Sequence, residues 1–378
     1  MQATQLLDIS GASNSYSAVV ISSPADVHRM FQCAATLPVK QDGTADPRFF
    51  LASVRGKAWA PRIVVVYRDA SIVGILYAKE RILWGVPTGI VYADGTLGTM
   101  VVAEAGDFDA VTQISIRRLF ACPGVRGMRL IVRPQSSEHS AIVSAVPSTV
   151  LDVSYARVEN HHHCLPLPSS YDELLDTFGP RTRRNFKYYR KRFEGEGHTY
   201  VDQISFDEFC RAGWYLSSKC GVGADPEGLN RAMGMFATVD RPVLVGLRDR
   251  KGEWLSILGG WYGPDQATVF FQLNADREHP RDSLSVVLRG YVMEMLIAKG
   301  ISRLMFWAGA GGPLNRYVQP IPALGVYLDV RRPSWRILRR LSTFTTHLPS
   351  SMRKVASWIA PQDHLKDKAL GSVRDSHA

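Results

Sequence analysis

The fold of this chain is decided by residues 241–261, RPVLVGLRDRKGEWLSILGGW, because this stretch has a counterpart earlier in the sequence. Residues 62–78, RIVVVYRDASIVGILYA, repeat its order: Arg-x-Val-x-Val, an Arg-Asp pair and then a second apolar run. Apolar runs rich in β-branched residues on both sides of a polar turn are typical of a β-hairpin. Two hairpins that begin 179 residues apart (241 minus 62) indicate that one structural unit occurs twice.

A second pair of segments supports the repeat. Residues 114–132 and 292–307 both join an amphipathic helix, through a glycine-containing turn, to a strand that begins Arg-Leu. The two Arg-Leu pairs, at 129 and 303, are 174 residues apart (303 minus 129), close to the hairpin offset. A chance match of apolar hairpins is the alternative, but two matches at nearly one offset favour a duplicated α/β module.

The later copy contains a well-defined strand–helix–strand unit. Strands are predicted at 267–273 and 303–307, and a helix between them over about 283–298, with Ser283 as its N-cap and Gly300 after its end. The apolar face of this helix comprises Leu284, Val287, Leu288, Tyr291, Met295 and Ala298. Glu294 lies off that face and is interpreted as a solvated charge.

Length and composition limit the classes of protein to which the chain can belong. A chain of 378 residues with 46% hydrophobic and 21% charged residues is globular and long enough for two domains. A net charge of +10 favours a polyanionic partner: nucleic acid, a membrane surface or a phosphorylated small molecule. The five cysteines show no metal-ligand spacing, and neither a signal-peptide pattern nor an apolar run of about 18 residues occurs. We therefore expect a cytoplasmic protein.

Residues 181–193, RTRRNFKYYRKRF, carry seven cations and no acid. As a helix, the stretch places Phe186, Tyr189 and Phe193 on one side, which predicts a packed helix with a basic outer surface. Three interpretations stay open: contact with an anionic substrate or donor, a solvated helix face, or nucleic-acid binding.

The order of these segments resembles the GNAT-type N-acyltransferases. It is more narrowly similar to their tandem branch, which includes acetyltransferases linked to exopolysaccharide synthesis and the Fem-type peptidoglycan aminoacyltransferases. The marks are Arg-x-x-Arg-Asn-x-Lys at 181–187 and Lys-Gly-Ile-x-x-Leu-x-Phe at 299–306. The resemblance covers roughly 45–330 and is firmest over 171–310.

The resemblance implies an α/β fold with two tandem GNAT-like modules, each a mixed central sheet flanked by helices. The expected divisions are an N-terminal module, structural or acceptor-binding, at 1–155, an acyl-donor module at 160–330, a basic amphipathic helical segment at 331–360 and a disordered tail at 361–378.

The resemblance also implies a donor site in the second module, with acetyl-CoA as the simplest co-substrate and no metal. Backbone N–H groups where two strands separate would polarise the donor carbonyl, and the start of the following helix would bind the pyrophosphate. The expected donor-binding residues are Gln272, Leu273, Asn274, Arg277, Arg281 and Ser283. The loop before that helix departs from the family pattern because it lacks glycines. Tyr317 is expected to protonate the leaving group.

The basic helix is expected to face the acceptor, since it lies near the acceptor entrance in relatives. The candidate contacts are Arg183, Arg184, Lys187 and Arg190. The expected acceptor is an amine of an anionic molecule such as a sugar-nucleotide or a lipid-linked saccharide. Two rivals stay open: Fem-type transfer from aminoacyl-tRNA to a cell-wall precursor, and a non-catalytic scaffold that has lost its donor loop.

Two further stretches invite interpretation. His161, His162 and His163 with Cys164 could bind a metal, but no spaced third ligand is visible, and we expect none. Residues 331–348, RRPSWRILRRLSTFTTHL, form a basic amphipathic helix pattern. Such a helix either docks on its own domain or lies on an anionic membrane, which would place the protein at the inner membrane face.

Overall fold

The computed structural model describes residues 16–34, 44, 46–96, 100–104, 106–145, 151–157, 162–220, 225–263, 265–307 and 309–331. His161, the basic segment beyond Arg331 and the C-terminal tail lie outside these ranges, so the expectations about them stay predictions. Within these ranges, the helices are too short or too polar to cross a bilayer.

The described chain alternates strands and helices. The strands are β1 Tyr16–Ile21, β2 Trp59–Pro61, β3 Ile63–Arg68, β4 Ser71–Leu76, β5 Lys79–Leu83, β6 Val86–Asp94, β7 Val101–Ala103, β8 Gly127–Val132, β9 Leu151–Arg157, β10 His162–Pro166, β11 Thr199–Val201, β12 Pro242–Arg248, β13 Trp254–Tyr262, β14 Gln266–Asn274, β15 Arg303–Trp307, β16 Gln319–Pro320 and β17 Leu324–Val330. The helices are α1 Pro24–Ala34, α2 Pro47–Ser53, α3 Phe108–Ala121, α4 Ser137–Ala145, α5 Tyr171–Thr177, α6 Pro180–Gly195, α7 Phe206–Ser217, α8 Pro226–Phe236 and α9 Leu284–Ala298.

The chain divides into two compact units. The first module comprises the described residues within 1–40, 56–159 and 322–378, and the second those within 41–55 and 160–321. In the first module the strands form a four-stranded sheet, β1-β3-β4-β7, and a six-stranded sheet, β2-β5-β6-β8-β17-β9. The second module has one seven-stranded sheet in the order β11-β12-β13-β14-β15-β10-β16.

The predicted repeat is confirmed element by element. The two quoted hairpins are β3–β4 and β12–β13, each antiparallel. The helix-to-strand segments are α3 with β8 and α9 with β15. In each module the strand after the helix pairs in parallel with a strand that precedes the helix, β8 with β6 and β15 with β14. In the first module β7 lies between β6 and α3. The fold class is therefore the predicted one, an α/β chain built from two GNAT-like modules.

The modules are not consecutive segments of sequence, which differs from the expected division at 155 and 160. Strand β17 lies in the first module, between β8 and β9, and α2 belongs to the second. Strand β10 takes the corresponding place in the second module, between β15 and β16. In both modules, a strand from elsewhere in the chain thus pairs antiparallel with the strand after the helix.

Helices cover both faces of the second module's sheet. Gly259 on β13 lies against Phe209 of α7 and Phe236 of α8. Its neighbour Leu258 is paired with Gln272 of β14, which contacts α9 instead. Because successive strand residues point to opposite faces, α7 and α8 lie on one face and α9 on the other.

Helix α6 forms where the basic stretch predicted a packed helix. Pro180 occupies its first turn, where a missing N–H costs nothing. Phe186 and Phe193 are buried, at 2% and 4% exposure, and α6 packs on α9. The preceding helix α5 begins after Ser170, which caps it, since the Ser170 hydroxyl accepts the Glu173 N–H at 3.2 Å.

Candidate active site

The two parallel strands of the second module separate before the longer one ends. Pairing between β14 and β15 runs from Gln266–Arg303 to Val269–Phe306, but β14 continues to Asn274. On its other edge, β14 has a bulge at Phe270, because Gly259 pairs with Phe271 and Gly260 with Val269. Beyond Val269, the edge of β14 that faces β15 is no longer paired with that strand. Backbone N–H groups on such an edge can bind a carbonyl oxygen.

A polar network crosses the gap where the strands separate. The guanidinium of Arg289, on α9, donates from Nε to the Gln272 side-chain oxygen at 2.9 Å. It also donates to the backbone oxygen of Ala310, in the loop after β15, and weakly to that of Gly311 at 3.4 Å. One side chain thus bridges β14 and the segment that follows β15.

The network continues along β14. The amide of Gln272 donates to the Asn274 side-chain oxygen at 3.0 Å, and the buried hydroxyl of Ser256 donates to the same oxygen at 2.7 Å. Leu273, between them, is buried in the hydrophobic core. Of the predicted donor-binding residues on β14, two are polar network members and the third is a core residue. Their backbone, rather than their side chains, is the part available to a ligand.

Arg289 carries a half-buried positive charge. Burial lowers the pKa of its guanidinium to about 10, so it remains protonated at neutral pH. Its ring neighbour is Phe306, 5.6 Å away, and its bonded acceptors are neutral oxygens. No acid pairs with it among the residues that the structure describes. A half-buried cation without a counter-ion is unfavourable for stability and is often found where a ligand binds.

The remaining donor-loop residues are arranged differently from the expectation. Ser283 precedes α9 but has a left-handed backbone, with φ of 48°, and its side chain makes no capping hydrogen bond. Its predicted capping role is therefore wrong, because a cap requires extended backbone. Arg277 donates to the backbone oxygen of Ser218 at 3.3 Å, while Arg281 is exposed.

An acidic residue, Asp282, lies close to the start of α9. The carboxylate of Asp282 pairs with Arg192 of α6 at 2.9 Å and with the His279 ring at 2.8 Å. The positive end of the α9 dipole lies directly after it. This carboxylate, held by Arg192 and His279, lies directly before the N–H groups that begin α9, a position that sequence reasoning did not assign to it.

Tyr317 is held by the start of α6. Its hydroxyl accepts the Gly179 N–H at 2.9 Å and donates to the Thr182 hydroxyl at 3.2 Å, and its ring lies 4.7 Å from that of Phe178. The hydrogen bonds that the phenol makes with Thr182 and Gly179 lower its pKa below its ordinary value. A lowered pKa makes the phenol a stronger proton donor, which suits the predicted acid role.

Three of the four predicted acceptor contacts line one surface groove of α6. The groove, of about 560 Å³, is lined by Pro180, Arg183, Arg184, Lys187, Tyr188 and Lys191. Arg183 pairs with Asp176 at 2.5 Å. Arg184 and Lys187 are exposed, and no described acid pairs with either. We call this set of residues the α6 groove.

Arg190, the fourth predicted contact, has a different position. Its guanidinium pairs with Glu294 of α9 at 2.6 Å and with Glu194 at 3.0 Å, and it lies 4.2 Å from the Tyr291 ring centre. The interpretation of Glu294 as a solvated charge is therefore wrong. Arg190 attaches α6 to α9 and is not part of the groove.

Two of the three histidines, His162 and His163, lie on β10 among the described residues. His162 is buried against Trp307 at a ring distance of 4.9 Å, and burial lowers the pKa of His163. Among the described residues, no three His, Cys, Asp or Glu side chains lie close enough to share a metal ion.

Sequence reasoning missed Arg289, although the sequence carries a signal for it. The segment LSVVLRGYVMEMLIA is apolar on nearly every side, and its early part is interrupted by one cation. A lone charge in a helix that is buried on several faces requires a specific partner or function.

Comparison with known proteins supports the fold assignment. The chain matches no known family model and no curated protein sequence. Among solved structures, FemX superposes with a TM-score of 0.54 and 10% identity, over 85% of this chain and 99% of that one. The structure of L-PGS from Bacillus licheniformis gives 0.52 and 11%, over 89% and 97%. The C-terminal domain of a putative lysylphosphatidylglycerol synthetase from Agrobacterium fabrum gives 0.52 and 12%, over 84% and 96%. At this identity the likeness establishes a shared fold, the GNAT fold in tandem.

Proposed function

We propose that the second module transfers an acyl group from an activated ester or thioester to an amine of a negatively charged acceptor. The observation that carries this proposal is the separation of β14 from β15 beyond Val269 and Phe306, bridged by Arg289. The edge of β14 that is no longer paired with β15, beside a half-buried cation, is suited to an oxygen that gains negative charge during attack.

The chemistry requires a net transfer of one proton from the acceptor nitrogen to the leaving group. The acceptor nitrogen forms a bond to the donor carbonyl carbon, the bond from that carbon to the leaving oxygen or sulphur breaks, and a proton from the nitrogen is lost to solvent while the leaving group gains one. Tyr317, with its lowered pKa, supplies the proton to the leaving group and is reprotonated afterwards.

The α6 groove supports an anionic acceptor. Arg184, Lys187 and Lys191 present positive charge beside the exposed ring of Tyr188. The groove would bind phosphate groups of a sugar-nucleotide or of a lipid-linked acceptor, and a lipid acceptor would place the protein at the inner membrane face.

The acyl donor is either acetyl-CoA or aminoacyl-tRNA, and the loop before α9 distinguishes between them. In a GNAT-type site, the pyrophosphate of acetyl-CoA lies at the start of the helix that corresponds to α9. Here the loop has no glycines and holds the Asp282 carboxylate, which would repel a pyrophosphate. We therefore favour aminoacyl-tRNA, the donor of Fem-type enzymes, over acetyl-CoA. The structural likeness to FemX is consistent with this choice.

The donor is tested by radiolabel transfer from acetyl-CoA and from a mixture of charged tRNAs, onto cell-wall and phospholipid precursors. We expect transfer from tRNA, and thermal stabilisation by CoA only after Asp282→Asn removes the repelling charge. The matched control is Asp265→Asn, which removes an exposed acid paired with Arg303 and should leave CoA binding as weak as in the wild type. Transfer from acetyl-CoA by the wild type would reverse the donor assignment, and transfer from neither would reject the function.

A further inference from the structure

Arg289 has a position that no predicted role accounts for. It lies on α9, where the apolar face was expected to supply only packing, yet its side chain reaches both sides of the strand separation. On one side it bonds the side chain of Gln272, and on the other the backbone oxygens that follow β15. A cation held by neutral acceptors at this point calls for a specific explanation.

The bridge has two physical consequences. The first is geometric: a planar guanidinium that donates in two directions fixes the distance between its two acceptors, which a flexible ammonium cannot do. Gln272 and the Ala310 carbonyl are thereby held at a set separation. The second is electrostatic, because the positive charge is half-buried near Phe306, where reduced contact with water strengthens its field.

From these contacts we infer that Arg289 is a positioning residue of the transfer site: it fixes the gap between β14 and the segment after β15 and favours negative charge on an acyl oxygen in that gap. The inference deepens the proposed transferase function and rests on it. Arg289 acts through Gln272 and the Ala310 carbonyl, and no contact between its guanidinium and the substrate is required.

The first module supplies a matched control. Arg133 follows β8 as Ala310 follows β15, and its guanidinium donates to the Thr96 backbone oxygen at 3.2 and 2.9 Å. Arg133 thus also links the ends of two parallel strands. In that module, however, the Gly95 N–H still bonds the Ile131 oxygen at 2.8 Å, so the strands stay joined. Arg133→Ala removes a comparable arginine bridge where no gap exists.

The test measures transfer kinetics for wild type, Arg289→Lys, Arg289→Ala and Arg133→Ala, with the donor that the wild type uses. We expect both Arg289 variants to lose roughly 100-fold in kcat, the size of effect seen when a stabilising donor to an oxyanion is removed. The KM for the acceptor should change little. Lysine keeps the charge but cannot bridge, so it should not restore the rate. Arg133→Ala should retain the wild-type kcat per folded molecule.

Chemical rescue separates positioning from mere structural support. Methylguanidinium added to Arg289→Ala should occupy the vacated space and recover part of kcat, while it should do nothing for Arg133→Ala. An Arg289→Ala protein with wild-type kcat, or one whose loss methylguanidinium cannot repair, would overturn the inference.

Failure of the inference can be told from failure of the proposed function. If the wild type transfers acyl groups but Arg289→Ala does so equally well, the function stands and the inference falls. If the wild type is inactive with every donor, hydrogen exchange still decides the geometric part. Faster amide exchange over 270–274 in Arg289→Ala supports the bridge, and unchanged exchange there rejects it.

Discussion

The equivalent pair of parallel strands stays paired in the first module and separates in the second. In the first, β6 and β8 pair from Ile90–Gly127 to Asp94–Ile131, and the next residue, Gly95, extends the pairing. In the second, the pairing stops at Val269–Phe306 while β14 continues for five more residues. Closed strands satisfy their backbone groups internally, whereas separated strands leave N–H groups for a ligand. The difference supports our proposal that the second module holds the reaction site.

The two modules also differ in how the charge of an arginine is compensated. In the first module, Arg129 is 4% exposed and pairs at 2.9 Å with Asp329, which is 2% exposed. In the second, Arg289 has only neutral acceptors among the described residues. A neutralised cation is what a structural core requires, and an uncompensated one lowers stability. Arg129 is the counterpart of Arg303 in the repeat, so Arg289 is compared with it as a second arginine near the sheet and not as its equivalent.

The largest expected effect comes from a substitution in the first module that removes the acid partner of its arginine. Asp329→Ala would leave Arg129 buried without its acid and so make it resemble Arg289. We expect a loss of about 3–5 kcal/mol in the free energy of unfolding, because the desolvated charge is no longer compensated. Urea denaturation, followed by hydrogen exchange in β8 and β17, measures it. Arg129→Met with Asp329→Ala should recover most of the loss; a single variant within 1 kcal/mol of wild type would mean that the pair is not structural.

The second-largest expected effect comes from replacing one tyrosine in each module. Tyr317 of the second module has a lowered pKa, whereas Tyr16 of the first donates to Asp107 at 2.8 Å and has a raised one. Tyr317→Phe should reduce kcat by about 100-fold if the phenol protonates the leaving group. Tyr16→Phe, the matched control, should cost about 1 kcal/mol of stability and no activity.

The pH dependence of the rate checks the same role. An acid acts only while protonated, so kcat should fall as pH rises through the Tyr317 pKa, which lies below the ordinary phenol value. This high-pH decline should be missing from Tyr317→Phe. A decline of equal size and position in the variant would assign it to another group.

Much of the fold could be predicted because its signals are local. The hairpins and α9 follow from residues that are near one another in sequence, where periodicity and turn chemistry are visible. The position of β17 in the first module, paired with β8, could not be predicted. It places Leu324 beside Val132, and single-sequence patterns contain no information on such distant pairing.

The site was predictable only in part, for a related reason. The α6 cations were recognised as a group, but the sequence could not say which of them has an acid partner. Arg190 and Arg184 look alike in the sequence, and only the fold brings Glu294 to the former. Likewise, Arg277 and Ser283 are near the donor loop in sequence, but their bonds and backbone angles depend on the loop's path.

The smallest expected effect distinguishes two kinds of cation within α6, a helix of the second module. Replacing Arg184 and Lys187 by Gln should raise the acceptor's KM roughly 10-fold, more at low salt, and leave stability unchanged, since both side chains are exposed. Arg190→Gln should do the reverse: about 1 kcal/mol of stability is lost with the Glu294 pair and the Tyr291 contact, and the KM stays the same. Acceptor titrations and urea denaturation of the three proteins measure both quantities. A double variant with wild-type KM would make the groove a solvated helix face, and the anionic acceptor would then have to bind elsewhere.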